Sequence, residues 1–398
     1  MDPAEPRAAL DALVAASAIR RIRIVAWRDL EDPEAGGSEL HADRVASRWA
    51  DAGLDVELRT SMVAGAARET TRNGYRVVRW GGRYQVFPQV ASEAVRFRDR
   101  RPDAVVDVWN GMPFFSPVWF RGPRLAVLHH VHSEMWRMTL KPAYASVGDA
   151  IERRLAPLLY RTTPVATLSA SSREEIIERL GLPARNIHVV EPGVESRYTP
   201  GGRRSTEPLV VAVGRLVPVK RYDALFRALA EARASVPMLR AVVVGEGYER
   251  PRLEGVLRDL GAEGYVELRG RVDDRALLAL YRSAWVVASS SLREGWGMTL
   301  TEAAACGTPS VATDIAGHRD AVVDGETGLL VGDDALGSAI GKVLLDDELR
   351  VRLGRAARAR AQPLTWARTA ASLFSLLDGG DGAVDARDAR DARDAQNT

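Results

Sequence analysis

The chain has 398 residues, of which 46% are hydrophobic and 27% are charged, and both fractions are ordinary for a globular protein with room for two domains. The formal net charge of +2 carries no overall signal for nucleic-acid binding, so no nucleic-acid partner is expected. The single cysteine, Cys306, excludes an internal disulfide framework and a cysteine-rich zinc site, and no apolar run approaches the length of a membrane span.

The N-terminal segment 1–21 has early acids and prolines and lacks a basic stretch followed by an apolar core. It predicts a short helix and not a signal peptide, so the cytoplasm is the expected location. Beyond it, short apolar runs alternate with amphipathic segments such as 38–52 and 171–180. The apolar runs are predicted strands, at 21–27, 55–61, 103–110, 124–130, 164–171 and 187–193. Strands that alternate with helices predict a parallel sheet covered on both faces.

A polar segment rich in Gly, Pro and Ser, 195–208, is predicted to link two domains. The alternation restarts after it. The predicted strands here are 209–214, 240–247, 265–270, 285–291, 308–314 and 328–332. The predicted helices are 221–234, 250–260, 273–283 and 300–306. The sequence therefore predicts an α/β fold of two Rossmann-like domains, at 1–198 and 206–365.

The C-terminal region divides into a helix and a tail. The segment 366–377, "WARTAASLFSLL", is amphipathic and is predicted to pack back on the first domain. The following residues, 379–398, contain three consecutive DAR triplets and almost no apolar surface, so the tail is predicted to be disordered.

The first unusual loop is "AVGRLVPVKRYD", 212–223, which follows a predicted strand. In open parallel sheets, ligands bind at the carboxyl ends of the strands. Arg215 and Lys220 flank a proline-containing loop that opens a helix, and only three of the 55 basic residues in the chain are lysines. Two cations beside a helix N-terminus predict an anion site.

The second unusual loop lies in "REGWGMTLTEAAACGTP", 293–309. Its glycines allow close approach to a ligand, and backbone N–H groups from Gly297 to Leu300 can point at a phosphate. Glu294 precedes the glycines, and Glu302 lies in the helix that follows. Because a carboxylate accepts two hydrogen bonds, the pair suits two polyols, a transferred sugar and a ribose.

These motifs resemble the retaining glycosyltransferases of family 4, whose fold is GT-B, with two Rossmann-like domains that face each other across a cleft. The likeness covers most of the chain. It rests on E-x7-E followed by "GTPSV" and on the earlier "GRLVPVK", "GGSELHADRVASRWADAGLDVELRT", "VVVGEGYERPRLEGVL", "VELRGRVDDRALLALYRSA" and "DGETGLLV". "VVEPGVESRYTP" departs from the family's N-G-V-D-x-x-x-F-x-P segment, since Glu191 and Pro192 stand in place of Pro-Asn.

The resemblance implies transfer of a sugar from a nucleoside diphosphate donor, GDP-mannose or a UDP-sugar, to a hydroxyl acceptor with retention at the anomeric carbon. It implies front-face attack, in which the donor phosphate takes the acceptor proton, and domain closure that excludes water. The residues that it assigns to the donor are Gly36, Gly37, Arg215, Lys220, Arg271, Val272, Glu294, Gly297, Met298, Thr299, Leu300 and Glu302.

Within that set, Arg215 and Lys220 match the family's diphosphate-binding residues. Glu294 matches the acid that contacts the donor sugar, and Glu302 matches the acid that binds the ribose. By the same resemblance, the glycine pair at 36–37 closes over the diphosphate, and the stretch 269–272 lies beside the nucleobase. The implied catalytic residues are Glu294, His129, Arg215 and Lys220.

Three of the six histidines follow the predicted strand 124–130, in "LAVLHHVHSEMW". In the family a histidine at this strand end contacts the donor sugar. His129 matches best, and His130 and His132 stay open. The H-x-H spacing would also suit a metal, but no cysteine or well-spaced carboxylate accompanies it, and the chain has no D-x-D motif. No metal and no cofactor are therefore expected. Asn110, at the end of the preceding strand, is a further candidate.

The segment 68–102 holds nine arginines, three acids and five interleaved aromatic residues. Such a surface attracts anionic lipid headgroups or, less readily, single-stranded RNA. An ordinary arginine-rich face is the simpler interpretation. Peripheral contact with the inner face of the membrane through 68–102, and a cell-envelope glycolipid or polysaccharide as the acceptor, are expectations that follow from the lipid interpretation.

Other functional classes fit less well. "GEGYER", 245–250, has Arg250 where a dinucleotide fingerprint needs its third glycine, and "GRLVPVK" is not a Walker A sequence. A phosphorylase needs a lysine in a pyridoxal phosphate site, and neither Lys220 nor Lys342 lies in an evident one. A sugar-nucleotide epimerase on the same fold and a nucleotide-sugar-binding protein without transferase activity remain the alternatives. The nucleobase, the sugar, the acceptor and the oligomeric state stay open.

Overall fold

The computed structural model describes residues 5–96, 101–132, 136 and 142–380. The chain divides into two compact units: unit 1 comprises Met1–Gly193 and Thr365–Thr398, and unit 2 comprises Val194–Leu364. Of the tail predicted to be disordered, residues 381–398 lie outside the described part, as do residues 97–100 of the arginine-rich segment. Within the described part, no helix is long and apolar enough to cross a membrane.

Unit 1 is built on an eight-stranded sheet in the order β3-β4-β2-β1-β5-β6-β7-β8. Its strands are β1 (Arg21–Val25), β2 (Asp55–Thr60), β3 (Glu69–Arg72), β4 (Tyr75–Arg79), β5 (Ala104–Trp109), β6 (Arg124–Leu128), β7 (Val165–Thr167) and β8 (Ile187–Val189). All neighbours are parallel except β3 and β4, which form an antiparallel hairpin. The central strand β5 is buried at every residue, as a strand covered on both faces must be.

The helices of unit 1 that precede unit 2 cover this sheet. They are α1 (Glu5–Ala16), α2 (Gly37–Asp51), α3 (Val86–Arg96), α4 (Ser116–Trp119), α5 (Pro142–Ala150), α6 (Ala156–Tyr160) and α7 (Ala170–Leu180). A single π-helical turn, Ile151–Leu155, joins α5 to α6. Ser169 caps α7 by accepting a 3.1 Å hydrogen bond from the Ser172 N–H, and Gly181 ends it in the left-handed conformation.

Unit 2 is built on a six-stranded parallel sheet in the order β11-β10-β9-β12-β13-β14. Its strands are β9 (Leu209–Val213), β10 (Arg240–Val244), β11 (Val266–Gly270), β12 (Val286–Ser289), β13 (Ser310–Thr313) and β14 (Gly328–Val331). Its helices are α8 (Tyr222–Ser235), α9 (Arg250–Asp259), α10 (Asp274–Ser283), α11 (Met298–Ala305), α12 (Ala316–Ala321), α13 (Leu336–Leu345) and α14 (Asp347–Ala361).

Each sheet has a point at which the strand order reverses. In unit 1 the chain proceeds from β1 to β2 on one side and later places β5 on the other side of β1. In unit 2 it proceeds from β9 to β10 and later places β12 on the other side of β9. The loops that leave the carboxyl ends of such neighbouring strands diverge and leave a crevice, where open parallel sheets bind their ligands.

The chain returns to unit 1 after Leu364. Its last helix, α15 (Trp366–Leu377), packs against α1 and α2. The indole N–H of the fully buried Trp49 donates a 2.9 Å hydrogen bond to the Ala370 carbonyl oxygen. The C-terminal helix therefore completes the core of unit 1.

The predicted linker 195–208 lies at the start of unit 2, which begins at Val194. Arg204 donates 2.6 Å hydrogen bonds to Thr308 Oγ1 and to the Gly307 carbonyl oxygen. Arg282 donates a 2.7 Å bond to the Thr199 carbonyl oxygen. The segment is therefore held to later parts of unit 2 by hydrogen bonds.

The predicted strands and helices agree with the observed ones to within a few residues at most ends. The β3–β4 hairpin was missed because arginines and threonines conceal its alternation, and the unit 2 helices α12, α13 and α14 were not predicted. Of these missed elements, α12 carries His318, which lies in the candidate site described below.

Candidate functional site

The loops after β9 and β12 meet at the reversal point of the unit 2 sheet. Lys220 Nζ forms an ion pair with Glu294 Oε1, and Ser291 Oγ donates a 2.7 Å hydrogen bond to the same oxygen. The two charged side chains are only 21% and 18% exposed. Burial favours a higher pKa for Glu294, but Lys220, His318 and the hydrogen bonds outweigh it and lower this pKa. Glu294 is therefore ionised at neutral pH and is already paired with a cation.

Hydrogen bonds fix these two loops to each other. Ser290 Oγ donates to the carbonyl oxygens of Lys220 and Arg221, at 2.9 Å each. The Leu292 N–H donates a 2.8 Å bond to the Val219 carbonyl oxygen. Arg221 adopts a left-handed φ of 50° where α8 begins. Lys220 and Glu294 are thus presented by one connected piece of backbone.

His318 belongs to the same cluster and was missed in the sequence. It is fully buried in α12, with Nδ1 2.7 Å from the Thr313 carbonyl oxygen and Nε2 3.2 Å from Ser289 Oγ. The carbonyl contact requires the proton on Nδ1, so Nε2 accepts from the serine hydroxyl. Burial lowers the pKa of His318, against the influence of Glu294, and the ring is neutral at pH 7. Its sequence signal was weak: a histidine five residues beyond the end of a strand.

A glycine begins α11 beside this cluster. Gly297 has a φ of 110°, a conformation that favours glycine, and it precedes the first helical residue, Met298. The Leu300 N–H donates a 2.9 Å bond to the Gly297 carbonyl oxygen, so that N–H is used inside the turn and does not point at a ligand as predicted. The N–H groups of Met298 and Thr299 lie ahead of it in the first turn, where an anion is favoured.

Glu302 lies in α11 and contacts a different set of residues. Tyr281 Oη donates a 2.7 Å hydrogen bond to Glu302 Oε2, and the Tyr198 ring packs edge-on against Tyr281 at 5.6 Å. Burial raises the pKa of Glu302 to about 7, although Tyr281 and Arg197 act in the opposite direction. The two predicted acids therefore differ, since Glu294 is ionised and Glu302 titrates near neutrality. No sequence spacing pointed to Tyr281.

The glycines of "GEG" serve the contact between two loops. A Cβ on Gly245 would lie 2.0 Å from the Gly214 carbonyl oxygen, and a Cβ on Gly247 would lie 2.2 Å from the Leu216 carbonyl oxygen. The Leu216 N–H donates a 2.9 Å bond to the Glu246 carbonyl oxygen. This approach fixes the loop that carries Arg215, and it explains glycines that resemble a dinucleotide fingerprint.

The remaining predicted residues of unit 2 follow the neighbouring strand. Arg271 and Val272 come directly after β11, which ends at Gly270. The Gly245 N–H donates a 2.9 Å bond to the Gly270 carbonyl oxygen, which joins this loop to the one after β10. Unit 2 therefore gathers at one edge of its sheet the residues predicted to bind the diphosphate, the sugar, the ribose and the base.

Gly36 and Gly37 lie in unit 1, at the start of α2. The Gly36 N–H donates a 2.8 Å bond to Glu39 Oε2, and Arg28 Nε donates a 3.2 Å bond to Glu39 Oε1. Asn110, at the end of β5, donates a 3.2 Å bond to Ser38 Oγ. The first turn of α2 thus lies beside the carboxyl end of β5, at the reversal point of the unit 1 sheet.

The three clustered histidines do not share one environment. His129 is 5% exposed, its ring packs edge-on against His41 at 5.0 Å, and burial lowers its pKa to about 4. Within the described part of the chain, neither ring nitrogen of His129 has a hydrogen-bond partner. His130 and His132 stack on each other at 4.8 Å with their planes 15° apart. His129 is therefore neutral and separate from the other two.

Arginines of the segment 68–102 are paired inside unit 1. Arg72 and Arg79 bind Asp29, which is fully buried. Arg76 binds Glu57, and Arg83 binds Glu34 at 2.5 Å. The count of nine arginines against three acids therefore overstates the positive charge of this surface. The acids that pair with these arginines lie elsewhere in the sequence, so the count leaves them out. In the described residues, no three His, Cys, Asp or Glu side chains converge so as to hold a metal ion.

Comparisons with known proteins show which family the chain resembles. Residues 199–360 match the family described as Glycosyl transferases group 1, and residues 35–198 match Glycosyltransferase Family 4. A D-inositol 3-phosphate glycosyltransferase of Nocardia farcinica is 30% identical over 390 residues, which cover 85% of this chain and 84% of that protein.

Two solved structures are similar to this one. Sucrose-phosphate synthase of Thermosynechococcus elongatus superposes with a TM-score of 0.76 and 21% identity, over 90% of this chain and 98% of that chain. HepE of Anabaena in complex with UDP-glucose superposes with a TM-score of 0.70 and 19% identity, over 89% of this chain and 98% of that chain. At these identities the likeness bears on the fold, and the predicted GT-B fold class is confirmed.

The two family matches together span both units, and the relative from Nocardia farcinica extends over most of the chain. This protein is an enzyme of the glycosyltransferase class, and its chain belongs to the group 1 glycosyltransferases of family 4.

Proposed function

We propose that this protein transfers a sugar from a UDP-sugar to a hydroxyl of a phosphorylated polyol, with retention at the anomeric carbon. The observation that carries the proposal is the pair of acids on either side of the α11 N-terminus, Glu294 bound to Lys220 and Glu302 bound to Tyr281. A nucleoside diphosphate sugar needs a cation for its diphosphate and a carboxylate for each of two polyols, and these residues meet that need.

The choice of UDP and of the acceptor class draws on relatives. HepE was solved in complex with UDP-glucose, and the Nocardia farcinica protein is named for D-inositol 3-phosphate. The site residues do not by themselves distinguish UDP from GDP, so GDP-mannose stays among the donors to be tested. A cell-envelope glycolipid or polysaccharide is the second acceptor class.

The contacts of Glu294 define its part in the reaction. Lys220 and Ser291 both bind Oε1, which leaves Oε2 to accept a hydrogen bond from a sugar hydroxyl. The diphosphate draws on Lys220, on Arg215 and on the N–H groups of Met298 and Thr299. These cationic and partly positive groups stabilise the charge that grows on the diphosphate as it departs.

The transfer step keeps its atoms in balance. The bond from the anomeric carbon to the diphosphate oxygen breaks, and a bond to the acceptor oxygen forms on the same face of the sugar. The acceptor proton passes to the departing phosphate oxygen. The chain supplies binding and electrostatic stabilisation, and the step needs no metal and no cofactor. Gly36, Gly37 and His129 remain donor-binding predictions from the resemblance.

Peripheral contact of 68–102 with the inner face of the membrane stays a prediction with reduced support, because its arginines at 72, 76, 79 and 83 are paired. Exposed Trp80 and Tyr84 are the features that still favour it. A vesicle-flotation assay with and without anionic lipid would measure it directly.

The first test measures thermal stabilisation by UDP, GDP, ADP and dTDP for the wild type, for Glu302→Ala and for the matched surface control Glu263→Ala. A ligand at about a hundred times its dissociation constant adds roughly 2.7 kcal/mol to the free energy of unfolding, which shifts the melting temperature by several degrees. We expect UDP to give the largest shift, and we expect Glu302→Ala, but not Glu263→Ala, to abolish it.

The second test supplies UDP-glucose with D-inositol 3-phosphate and follows the anomeric proton of the product by NMR. An axial product from the axial donor supports retention, and an equatorial product contradicts it. Nucleotide binding without transfer to any acceptor, and without donor hydrolysis, would favour the nucleotide-sugar-binding protein. Interconversion of the free nucleotide sugar would favour the epimerase.

A further inference from the structure

A buried carboxylate lies behind the histidine segment of unit 1. Glu152 is in the π-helical turn Ile151–Leu155, and its side chain is completely inaccessible to solvent. It accepts a 2.9 Å hydrogen bond from the His132 backbone N–H on Oε1 and a 2.8 Å bond from the Trp136 indole N–H on Oε2. One acid therefore fixes two points of the chain that follows β6.

Two glycines form a slot for the Trp136 ring. A Cβ on Gly111 would lie 2.9 Å from Trp136 Cζ2, and a Cβ on Gly148 would lie 2.8 Å from Trp136 Cε3. Any larger residue at either position collides with the indole. The slot sets the plane of the ring, and the bond to Glu152 sets its direction within that plane.

The ring of Trp136 continues into a stack of histidines. His132 packs against Trp136 at 5.6 Å, and His130 packs on His132 at 4.8 Å. The Nδ1 atom of His132 is also 4.0 Å from Glu152 Oε1. The contacts thus run from the fully buried Glu152 to Trp136, from Trp136 to His132 and from His132 to His130.

This stack lies at the edge of the sheet where ligands bind. The histidines follow the carboxyl end of β6, and Gly111 follows the carboxyl end of β5, next to the strand-order reversal. π-helical turns are rare overall, but many of those that occur lie at functional sites, because the extra residue redirects the side chains around it. Burial of an acid on such a turn lowers the stability of the protein. An apolar residue would avoid this loss if the turn had no role in function.

We propose that Glu152 is a positioning residue of the transfer reaction, which holds His130 and His132 in their stacked arrangement at the ligand edge of unit 1. This inference rests on the proposed function, because a transfer reaction is what the histidine segment would serve. Gly36 and Gly37 are the donor-binding glycines predicted in unit 1, and neither takes part in the hydrogen bonds of Glu152 with His132 and Trp136. The other residues predicted to bind the nucleotide lie in unit 2, so we expect UDP affinity not to depend on Glu152.

Substitution by glutamine tests the charge and the second acceptor while it keeps the shape. A glutamine side chain has one acceptor oxygen and one donor NH2, so it cannot accept from both the His132 and the Trp136 N–H groups. The N–H of either His132 or Trp136 then faces the glutamine NH2 group, which is also a donor, and must move away from it. Displacement of a positioned group by about 1 Å can cost on the order of a hundredfold in rate.

The experiment compares Glu152→Gln with the wild type and with Glu178→Gln, the same change on an exposed acid of α7. UDP affinity is measured by calorimetry. Turnover is measured as release of the nucleoside diphosphate in the presence of D-inositol 3-phosphate, with UDP-glucose as the donor and the ADP-, GDP- and dTDP-glucoses run in parallel. We expect Glu152→Gln to lower kcat by about tenfold to a hundredfold with UDP affinity unchanged. The imidazole NMR signals of His130 and His132 and the indole N–H signal of Trp136 should shift in Glu152→Gln and not in Glu178→Gln.

Two further variants guard against simple loss of folding. Trp136→Phe keeps a ring in the slot and removes its hydrogen bond, and Gly148→Ala pushes the ring away while it leaves Glu152 intact. Both should reproduce the kcat loss and the histidine shifts. A kcat for Glu152→Gln equal to that of the wild type overturns the proposal, and so do unmoved histidine signals or a UDP affinity that falls in step with kcat. A wild type that binds UDP but releases a nucleoside diphosphate from none of the four donors contradicts the proposed function, while the NMR signals still decide whether Glu152 holds the histidines.

Discussion

Lys220 and Glu294 are 74 residues apart in the chain and form an ion pair, because the strands that precede them, β9 and β12, are neighbours in the sheet. The pair joins a cation and an acid that the sequence assigned to different parts of one ligand. In the absence of that ligand they neutralise each other, which keeps two partly buried charges satisfied.

A double-mutant cycle on this pair should reveal strong coupling. Lys220→Ala leaves Glu294 buried without its largest favourable charge, so the pKa of Glu294 rises and the protein loses stability. We expect a coupling energy of roughly 1–3 kcal/mol between Lys220→Ala and Glu294→Gln in urea unfolding. Each single variant should lower turnover by about a hundredfold or more.

The exposed pair Arg227–Asp223 supplies the control for this cycle. Its N–O distance is 3.3 Å, and the arginine side chain is 62% exposed. The coupling between Arg227→Ala and Asp223→Ala should be at most about 0.5 kcal/mol, with turnover unchanged. Equal coupling in the two cycles would contradict a special role for Lys220 and Glu294.

Two glycines of unit 2 offer a sharp steric test. A Cβ on Gly317 would lie 2.3 Å from the Glu294 carbonyl oxygen, whereas a Cβ on Gly332 would meet no atom within 4 Å. Gly317→Ala must therefore displace the backbone at Glu294 and should weaken binding of a UDP-sugar and lower turnover. Gly332→Ala makes the same chemical change in open space and should leave both unchanged. Isothermal calorimetry with UDP-glucose measures the affinity, and a normal affinity in Gly317→Ala would count against Glu294 as a sugar ligand.

The pKa of Glu302 predicts how stability depends on pH. Burial raises it from an ordinary value of 4.5 to about 7, so the buried acid prefers its proton. Its contribution to stability is fully present below pH 4.5 and is lost as the pH rises through 7, by roughly 3 kcal/mol in total. Glu302→Gln lacks this titration and should gain stability relative to the wild type as the pH rises from 5 to 8. Urea unfolding at a series of pH values measures the difference, and parallel curves for the two proteins would contradict the raised pKa.

Ligand binding should show the opposite dependence on pH at the same residue. Ribose hydroxyls donate to a carboxylate, so the ionised form of Glu302 binds them better. The affinity of the wild type for UDP should therefore increase between pH 6 and pH 8. The ratio of wild-type to Glu302→Gln affinity isolates this effect, because protonation of UDP itself cancels in the ratio. A ratio that does not change with pH would argue against contact between Glu302 and the ribose.

Unit 1 contains a buried ion pair whose loss should lower the stability of the protein. Arg79 and Asp29 are both inaccessible, and their atoms Nη2 and Oδ2 lie 2.5 Å apart. Arg79→Ala leaves Asp29 buried without its closest cation, so we expect a loss of about 3–5 kcal/mol in stability. The exposed pair Arg21–Asp103 is the control, and Arg21→Ala should cost about 1 kcal/mol or less. A small effect of Arg79→Ala would mean that Arg72 can replace it at Asp29.

The sequence predicted those parts of the fold that depend on local pattern. β9 and β12 are short apolar runs that end at a glycine or at serines, and such runs can be read directly. Glu294 and Glu302 could be found because their spacing and the glycines around them are unusual. His318, Tyr281 and Glu152 could not, since each acquires its role from residues that only the folded chain brings near. The hydrogen bonds of Arg204 in the predicted linker could not be found for the same reason, because Gly307 and Thr308 are more than 100 residues away.

The bond between Trp49 and Ala370 joins residues 321 positions apart, and it sets the order in which this chain can mature on the ribosome. Unit 2 is one continuous stretch, so it can fold as soon as it has emerged. Unit 1 is synthesised first yet lacks α15 until nearly the whole chain has been made. In the interval the α1 and α2 surfaces that α15 covers stay open to solvent. A nascent chain stalled before residue 366 should therefore present an apolar surface to chaperones, and a nonsense mutation that removes only the last helix should damage unit 1 and spare unit 2.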